Sequence, residues 1–328
     1  MNVLVVGLGS MGKRRIRVLN LLFDGECEIV GVDSQDTRRD EAQSLYQVKT
    51  YPSILEAAQS EKFDCGFICT SPRHHGEIAL SLLALEIPVF SEINLVNDFH
   101  TEIIQKLKET GLKYFLSSTP LYSADRRYIQ KYLQGETELT YCYHVGQYLP
   151  DWHPWESYQK FFVGDVTTNA CREIMVIELP WLIHVFGEIE SIHVQKKKNT
   201  SLEISYPDTY IMSVSHKSGA MGAICIDVVS RVPVREFTAF NENRYLTWGG
   251  NVNSIKTLDR GNKGLISVDI QGTEIRDEKY AQFINEASYI EEVKAFFDYL
   301  QHDVPPAHTL EQDIQIIGIV NRIEDGGI

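Results

Sequence analysis

Residues 1–33 leave little freedom of fold. Asn2-Val3-Leu4-Val5-Val6 is apolar without alternation, as in a strand buried on both faces. Gly7-Leu8-Gly9-Ser10-Met11-Gly12 follows at once and matches the G-x-G-x-x-G pattern. In that pattern the first glycine permits a tight turn, the second lets a pyrophosphate approach the backbone, and the third lets helix pack on strand. Lys13–Phe23 continues as a helix with Ile16, Leu19 and Phe23 on one side, and its free N–H groups suit an anion. Glu28–Val32 reads as the next strand. It ends on Asp33, about twenty residues past the last glycine, where a carboxylate can bind adenosine ribose hydroxyls. Strand, glycine corner, helix, strand and acid together predict a dinucleotide site, of which a bare strand-to-helix turn would use only part.

The alternation continues. Polar helices are expected over Ser34–Gln47 and Ser53–Gln59, a buried strand over Cys65–Cys69, and a loop over Thr70-Ser71-Pro72-Arg73-His74-His75. A helix over Gly76–Leu85, a strand at Val89-Phe90, a helix capped by Asn97 or Asp98 and stopped by Gly111, and a strand over Lys113–Leu116 complete the half. This predicts a doubly wound parallel α/β sheet, with residues 1–119 as a dinucleotide-binding Rossmann domain. Beyond it the texture changes. Helices over Ala124–Leu133, Ala170–Phe186 (with Pro180 inside) and Ala281–Leu300 flank strands at Leu139–Tyr148 and through Glu190–Ile270, with hairpin signals at Lys217-Ser218-Gly219 and Arg260-Gly261-Asn262. Residues 120–328 are thus expected to form an α+β domain on one large open mixed or antiparallel sheet. Its uncovered face predicts a homodimer or homotetramer.

Charge and cysteine usage exclude other classes. A formal net charge of -14 leaves no basic surplus for nucleic acid. No apolar run approaches the ~18 residues of a membrane span, and Met1 stands directly before the first strand with no targeting pattern. The six cysteines are scattered without disulfide or zinc spacing, as reduced thiols of a cytoplasmic protein are, and no spacing reads as a metal-ligand set.

On these features, namely Gly7–Gly12, Asp33, Thr70–His75, the Val89–Asn94 segment and Trp181–Gly187 leading into Glu188–Ile192, the chain resembles the Gfo/Idh/MocA family of NAD(P)-dependent oxidoreductases. The resemblance implies hydride transfer between a nicotinamide and a sugar-like or nucleotide-sugar substrate. It implies that Gly7, Leu8, Gly9, Ser10, Met11, Gly12 and Asp33, with Thr70, Ser71, Pro72, His75, Glu92 and Asn94, hold the cofactor. Asp33 would repel a 2′-phosphate, which favours NAD over NADP, although Arg38 and Arg39 stand near the adenosine end.

Two departures bear on chemistry. The family's Glu-Lys-Pro is here Glu92-Ile93-Asn94, and alignment on Phe186-Gly187 puts Glu173 and Ile177 where the family has Asp and His, with Thr167-Thr168-Asn169 in place of a glycine run. The proton must come from elsewhere. Glu173 serves as a general acid/base if burial raises its pKa, or else as a carboxylate on a helix N-terminus. Arg172 clamps an anion or pairs with Glu173. His153 is a neutral-pH proton carrier or packs among Trp152, Trp155, Tyr158, Phe161 and Phe162. Trp152 and Trp155 can stack on a sugar face or belong to core, and Tyr122 is a further phenol near the substrate. Two alternatives stand beside the sugar oxidoreductase. One is a biliverdin-reductase-like reductase of a C=N or conjugated system, and the other is a non-catalytic dinucleotide- or sugar-binding regulator.

Overall fold

The computed structural model describes residues 1–153, 157–270 and 286–326. The chain forms two compact units, Met1–Ser118 with Tyr289–Ile314, and Thr119–Ser288 with Gln315–Ile328.

The first unit alternates strand and helix: β1 (Asn2–Val6), α1 (Ser10–Phe23), β2 (Glu28–Val32), α2 (Asp36–Tyr46), β3 (Lys49–Tyr51), α3 (Ile54–Ser60), β4 (Cys65–Ile68), α4 (His75–Ala84), β5 (Val89–Ser91), α5 (His100–Thr110) and β6 (Tyr114–Leu116). The six strands form one parallel sheet in the order β3-β2-β1-β4-β5-β6. The order reverses between β1 and β4, which opens a crevice at the strand C-termini where such sheets take ligands. The cap of α5 differs from expectation. Phe99, in the left-handed region at φ 65°, occupies the N-cap position in place of Asn97 or Asp98, while Gly111 at φ 70° ends the helix as predicted.

The second unit contains α6 (Ala124–Leu133), β7 (Thr140–Gly146), α7 (Ala170–Phe186), and then β8 (Ile189–Lys197), β9 (Thr209–His216), β10 (Met221–Asp227), β11 (Val234–Phe240), β12 (Tyr245–Trp248), β13 (Lys256–Asp259) and β14 (Gly264–Ser267). They form a mixed eight-stranded sheet, β14-β13-β12-β11-β7-β10-β9-β8, in which β7 and β10 run parallel and the other pairs antiparallel. Both expected hairpins are present, β9–β10 and β13–β14. Tyr141, Tyr143, Phe237 and Trp248 point to the inner face, where Trp181 and Phe186 of α7 pack on them. The same core encloses the Glu178 carboxylate, which accepts from Tyr143 Oη at 2.7 Å and Trp181 Nε1 at 2.6 Å and lies 2.7 Å from the Arg235 guanidinium. Burial opposes its ionisation, yet Arg235 and Arg126 outweigh burial and hold it below the usual glutamate range.

Two helices close the chain, α8 (Glu286–His302) and α9 (Leu310–Asp325). From Tyr289 to Ile314 the chain packs with the first unit, whereas a single division at 119/120 assigns this stretch to the second. The physical reason is aromatic. Phe67, Phe90 and Phe115 lie side by side across β4, β5 and β6, and Phe296 of α8 packs edge-to-face on all three, with ring centres 5.3 to 5.7 Å apart. Ile290, Val293 and Phe297 are buried as the helical pattern predicts, and Phe296 is fully buried beside them. The expected start at Ala281 falls outside the described residues. Helix α9 is not anticipated by periodicity, because its isoleucines are dense and β-branched. Its start carries a readable sign, however: Gln312 N donates to Thr309 Oγ1 and Thr309 N to Gln312 Oε1, a reciprocal cap. Among the described residues no helix is long and apolar enough to cross a membrane.

Candidate functional site

The glycine corner sits at the C-terminal end of β1. Gly7 takes φ 93°, and its N–H donates to Val32 O at 2.7 Å, which ties the turn to β2. A β-carbon on Gly7 would meet Cys69 O at 2.7 Å, and one on Gly12 would meet Gly7 O at 1.9 Å. A β-carbon on Gly9 would meet nothing within 4 Å. Two of the glycines are therefore demanded by packing inside the unit, and the third faces open space. Helix α1 begins directly after Gly9, has no side-chain cap and no acid in its first turn, so its first N–H groups and the positive end of its dipole are offered to an anion. The residues present fit a dinucleotide pyrophosphate.

Asp33 is brought to this corner. Its Oδ2 accepts from Leu8 N and its Oδ1 from Gln35 N, both at 2.9 Å. Arg38 stands 3.6 Å from the same carboxylate, while Arg39 bonds the Asp33 carbonyl and pairs with Asp36. Ser10 and Met11 lie in the first turn of α1, and Leu8 is buried behind the loop.

Thr70, Ser71, Pro72 and His75 form the loop after β4, with a short 3-10 turn over Pro72–His74. His75 Nε2 lies 3.0 Å from the Thr70 carbonyl and Nδ1 3.2 Å from Asn94 Oδ1. Burial lowers the pKa of this imidazole, against the pull of those hydrogen bonds. Asn94 in turn donates to Asp313 Oδ2 at 3.0 Å, which also lies 2.8 Å from His100 Nε2. Glu92 faces inward: Arg15 Nε and Nη2 donate to its two oxygens at 2.6 and 3.2 Å, and Arg15 Nη2 also reaches Glu292 Oε2 at 2.7 Å. Glu292 Oε1 accepts from Ser117 Oγ and Ser118 N. The polar ends of Glu92, Asn94 and His75 are thus engaged by partners within this unit. Arg15, Glu292, His100 and Asp313 were not singled out from sequence, since nothing local marks partners that lie 77 to 277 residues away.

In the second unit the expected catalytic residues have different surroundings. Asn169 caps α7, its Oδ1 accepting from Arg172 N at 2.8 Å, so the segment replacing the family's glycine run is a helix cap. Arg172 is buried and turned to α9, where it donates to Asn321 Oδ1 at 2.7 Å and to Glu324. Glu173 lies one residue on. Its Oε2 is sealed from solvent and has no hydrogen-bond partner among the described residues, and burial pushes its carboxyl up to about 7. Ile177, one turn along the same helix, offers no polar atom. His153 packs on Phe161 with ring centres 4.6 Å apart, and Trp152 donates Nε1–H to Gln147 O at 3.1 Å. Tyr122 is buried, with the Arg127 guanidinium 5.5 Å from its ring centre. Trp155 lies outside the described residues.

Comparison with known proteins agrees with the first unit's geometry. The family model described as "Oxidoreductase family, NAD-binding Rossmann fold" (Gfo/Idh/MocA) matches residues 1–117. No curated protein sequence matches the chain. Solved structures similar over nearly the whole length include UDP-N-acetylglucosamine 3-dehydrogenase GnnA from Acidithiobacillus ferrooxidans, 13% identical, covering 99% of this chain and 97% of that one, with a TM-score of 0.77. Biliverdin reductase from Synechocystis, in complex with biliverdin and NADP+, is 17% identical over 99% and 98% of the chains, at TM-score 0.75. The WlbA dehydrogenase from Bordetella pertussis, in complex with NADH and UDP-GlcNAcA, is 14% identical over 99% and 95%, at TM-score 0.76. At these identities the likeness is one of fold. Residues 1–117 match the model of the NAD-binding Rossmann fold of the Gfo/Idh/MocA oxidoreductase family, and the chain over nearly its whole length shares the fold of these three solved structures.

Proposed function

We propose that this protein is an NAD(P)-dependent oxidoreductase that moves hydride between a nicotinamide and a sugar-like or nucleotide-sugar substrate. The observation that carries the reading is the division of labour in the glycine corner: Gly7 and Gly12 are required by packing, and Gly9 is open toward the free first turn of α1. The dinucleotide would supply the hydride. Gly7–Gly12 would bind its pyrophosphate, Asp33 its adenosine ribose, and Thr70, Ser71 and Pro72 would line its cleft. NAD is favoured over NADP because the Asp33 carboxylate lies at the ribose position, although Arg38 beside it reduces the repulsion of a 2′-phosphate.

Glu173 is our proton-transfer group, in place of the absent lysine and histidine. A half-buried carboxyl whose sealed Oε2 has no partner among the described residues, with a pKa near neutrality, can both give and take a proton at physiological pH. Arg172 we assign to positioning the start of α7, since its donors are committed to Asn321 and Glu324. His153 remains our second candidate proton carrier, and Trp152, Trp155 and Tyr122 our substrate-side residues. Assembly as a homodimer or homotetramer through the C-terminal sheet, a small-molecule partner and a cytoplasmic setting complete the proposal.

The test begins with thermal melts in NAD, NADH, NADP and NADPH, because a ligand of the folded state stabilises it by about 2.7 kcal/mol at a hundredfold excess over Kd. Nicotinamide absorbance then follows turnover with UDP-sugars and free sugars. No melt shift with any of the four, and no cofactor released on denaturation, would overturn the reading. A second reading, a dinucleotide-binding regulator without turnover, is favoured by Ile93 and Ile177. It predicts melt shifts with no turnover of any substrate.

A further inference from the structure

The outer face of the second sheet gathers three groups whose spacing along the chain shows no relation. On β7, Tyr141, Tyr143 and Val145 point into the core, so Cys142 and His144 point outward. On the parallel neighbour β10, Gly222, Ile224 and Ile226 are buried, while Cys225 is half-buried on the outer side. His144 is paired directly with Cys225 in the strand register, and Gly146 with Asp227 two residues on. His144, Cys225 and Asp227 thereby place one nitrogen, one sulfur and one carboxylate oxygen within 4.8 Å of one another.

The carboxylate is held for this purpose by its own turn. Asp227 Oδ1 accepts from Val229 N at 2.9 Å and Ser230 N at 2.7 Å, and Oδ2 accepts from Ser230 Oγ at 2.9 Å. Oδ2 is thus presented to His144 Nε2, 2.7 Å away. The glycine at position 146 is required here, since a β-carbon there would come 2.4 Å from Asp227 Oδ2. The His144 side chain is 39% exposed, which leaves a fourth position open to water.

We propose that His144, Cys225 and Asp227 bind a divalent transition metal ion, zinc by donor type, on the outer face of the sheet. A nitrogen, thiolate and carboxylate set suits tetrahedral zinc with water in the fourth place, and the thiolate selects against magnesium and calcium. The ion replaces the His144–Asp227 hydrogen bond. The imidazole hydrogen moves from Nε2 to Nδ1, and the Cys225 thiol proton is released to solvent, so affinity falls in acid. Ser230 and the two amides on Asp227 serve as the supporting shell. The competing account is a simple histidine–aspartate bond that finishes the turn after β10.

The experiment uses the full chain, freed of metal by a chelator, titrated with Zn²⁺ against a chromophoric competitor and separately with Co²⁺. Expected are one equivalent bound per chain and, with Co²⁺, the near-ultraviolet thiolate-to-metal band and the visible bands of a tetrahedral site. Cys225→Ser should abolish the thiolate band, and His144→Asn, which can still bond Asp227, should weaken Zn²⁺ binding by more than the about 10–100-fold typical of supporting-shell changes. Cys142→Ser should leave both unchanged. Absence of a stoichiometric site in the wild type, or a thiolate band that survives in Cys225→Ser, overturns the proposal. So does His144→Asn binding Zn²⁺ like the wild type. Circular dichroism of each variant establishes that it is folded.

Discussion

Gly12 lies so close to Gly7 that a β-carbon on Gly12 would stand 1.9 Å from the Gly7 carbonyl oxygen. The contact is with backbone, so no side chain can swing aside. Gly12→Ala should force the corner apart and cost at least the about 1–3 kcal/mol of an overpacked core, seen as a lowered urea midpoint. Gly9→Ala has room within the protein and should keep its stability within about 0.5 kcal/mol. Its NADH affinity should nevertheless fall by about tenfold or more, or about 1.4 kcal/mol, measured by fluorescence titration. Equal effects on stability from the two variants would contradict this split.

Arg15 is fully buried between two carboxylates and over the Phe90 ring, 4.5 Å from its centre. Removing Glu292 leaves Arg15 paired with Glu92 but strips the acceptor from Arg15 Nη2, Ser117 Oγ and Ser118 N in the interior. Glu292→Ala should therefore cost about 1–3 kcal/mol. The double variant Arg15→Met with Glu292→Gln should cost less than the sum of its parts, which a double-mutant cycle in urea measures directly.

Phe296 is the ring on which β4, β5 and β6 converge. Phe296→Ala should destabilise by about 3–5 kcal/mol. Hydrogen exchange should then speed up first in 289–302 and in the three strands facing them, whereas exchange in β8–β10 should stay as in the wild type.

Glu173 supplies a pH signature. Its folded pKa of about 7 lies above the ordinary glutamate range. Between the two values the folded state holds the extra proton, so the contribution of Glu173 to stability is greatest in acid and declines as pH rises from about 4.5 through 7. Glu173→Gln should flatten that decline, read as urea midpoints at pH 5 and pH 8. If Glu173 carries the proton transfer, the same variant also loses turnover while keeping cofactor affinity.

What could be read from sequence was local. The run from β1 through the glycine corner to Asp33 is legible because each step depends on residues a few positions away, and the alternation that follows repeats the same grammar. Glu173 could be named from its place on α7, but its lack of a partner depends on what packs around it. Arg172 was open between an anion clamp and Glu173 because Glu324 lies 152 residues on. Cys225 and His144 fall together only through strand register. Helix α9 hid behind β-branched residues, although Thr309 and Gln312 spell its start.

The return of Tyr289–Ile314 to the first unit orders events during synthesis. When Ser118 leaves the ribosome, every strand of the parallel sheet has been made, yet Phe67, Phe90 and Phe115 lack Phe296, and Arg15 lacks its second carboxylate. At about 5–20 residues/s, the stretch from Ser118 to Phe296 follows over roughly 9–36 s. The nascent half carries its aromatic face uncovered for that interval, when chaperones have their opportunity to bind it, and it locks only once Glu292 and Phe296 have emerged.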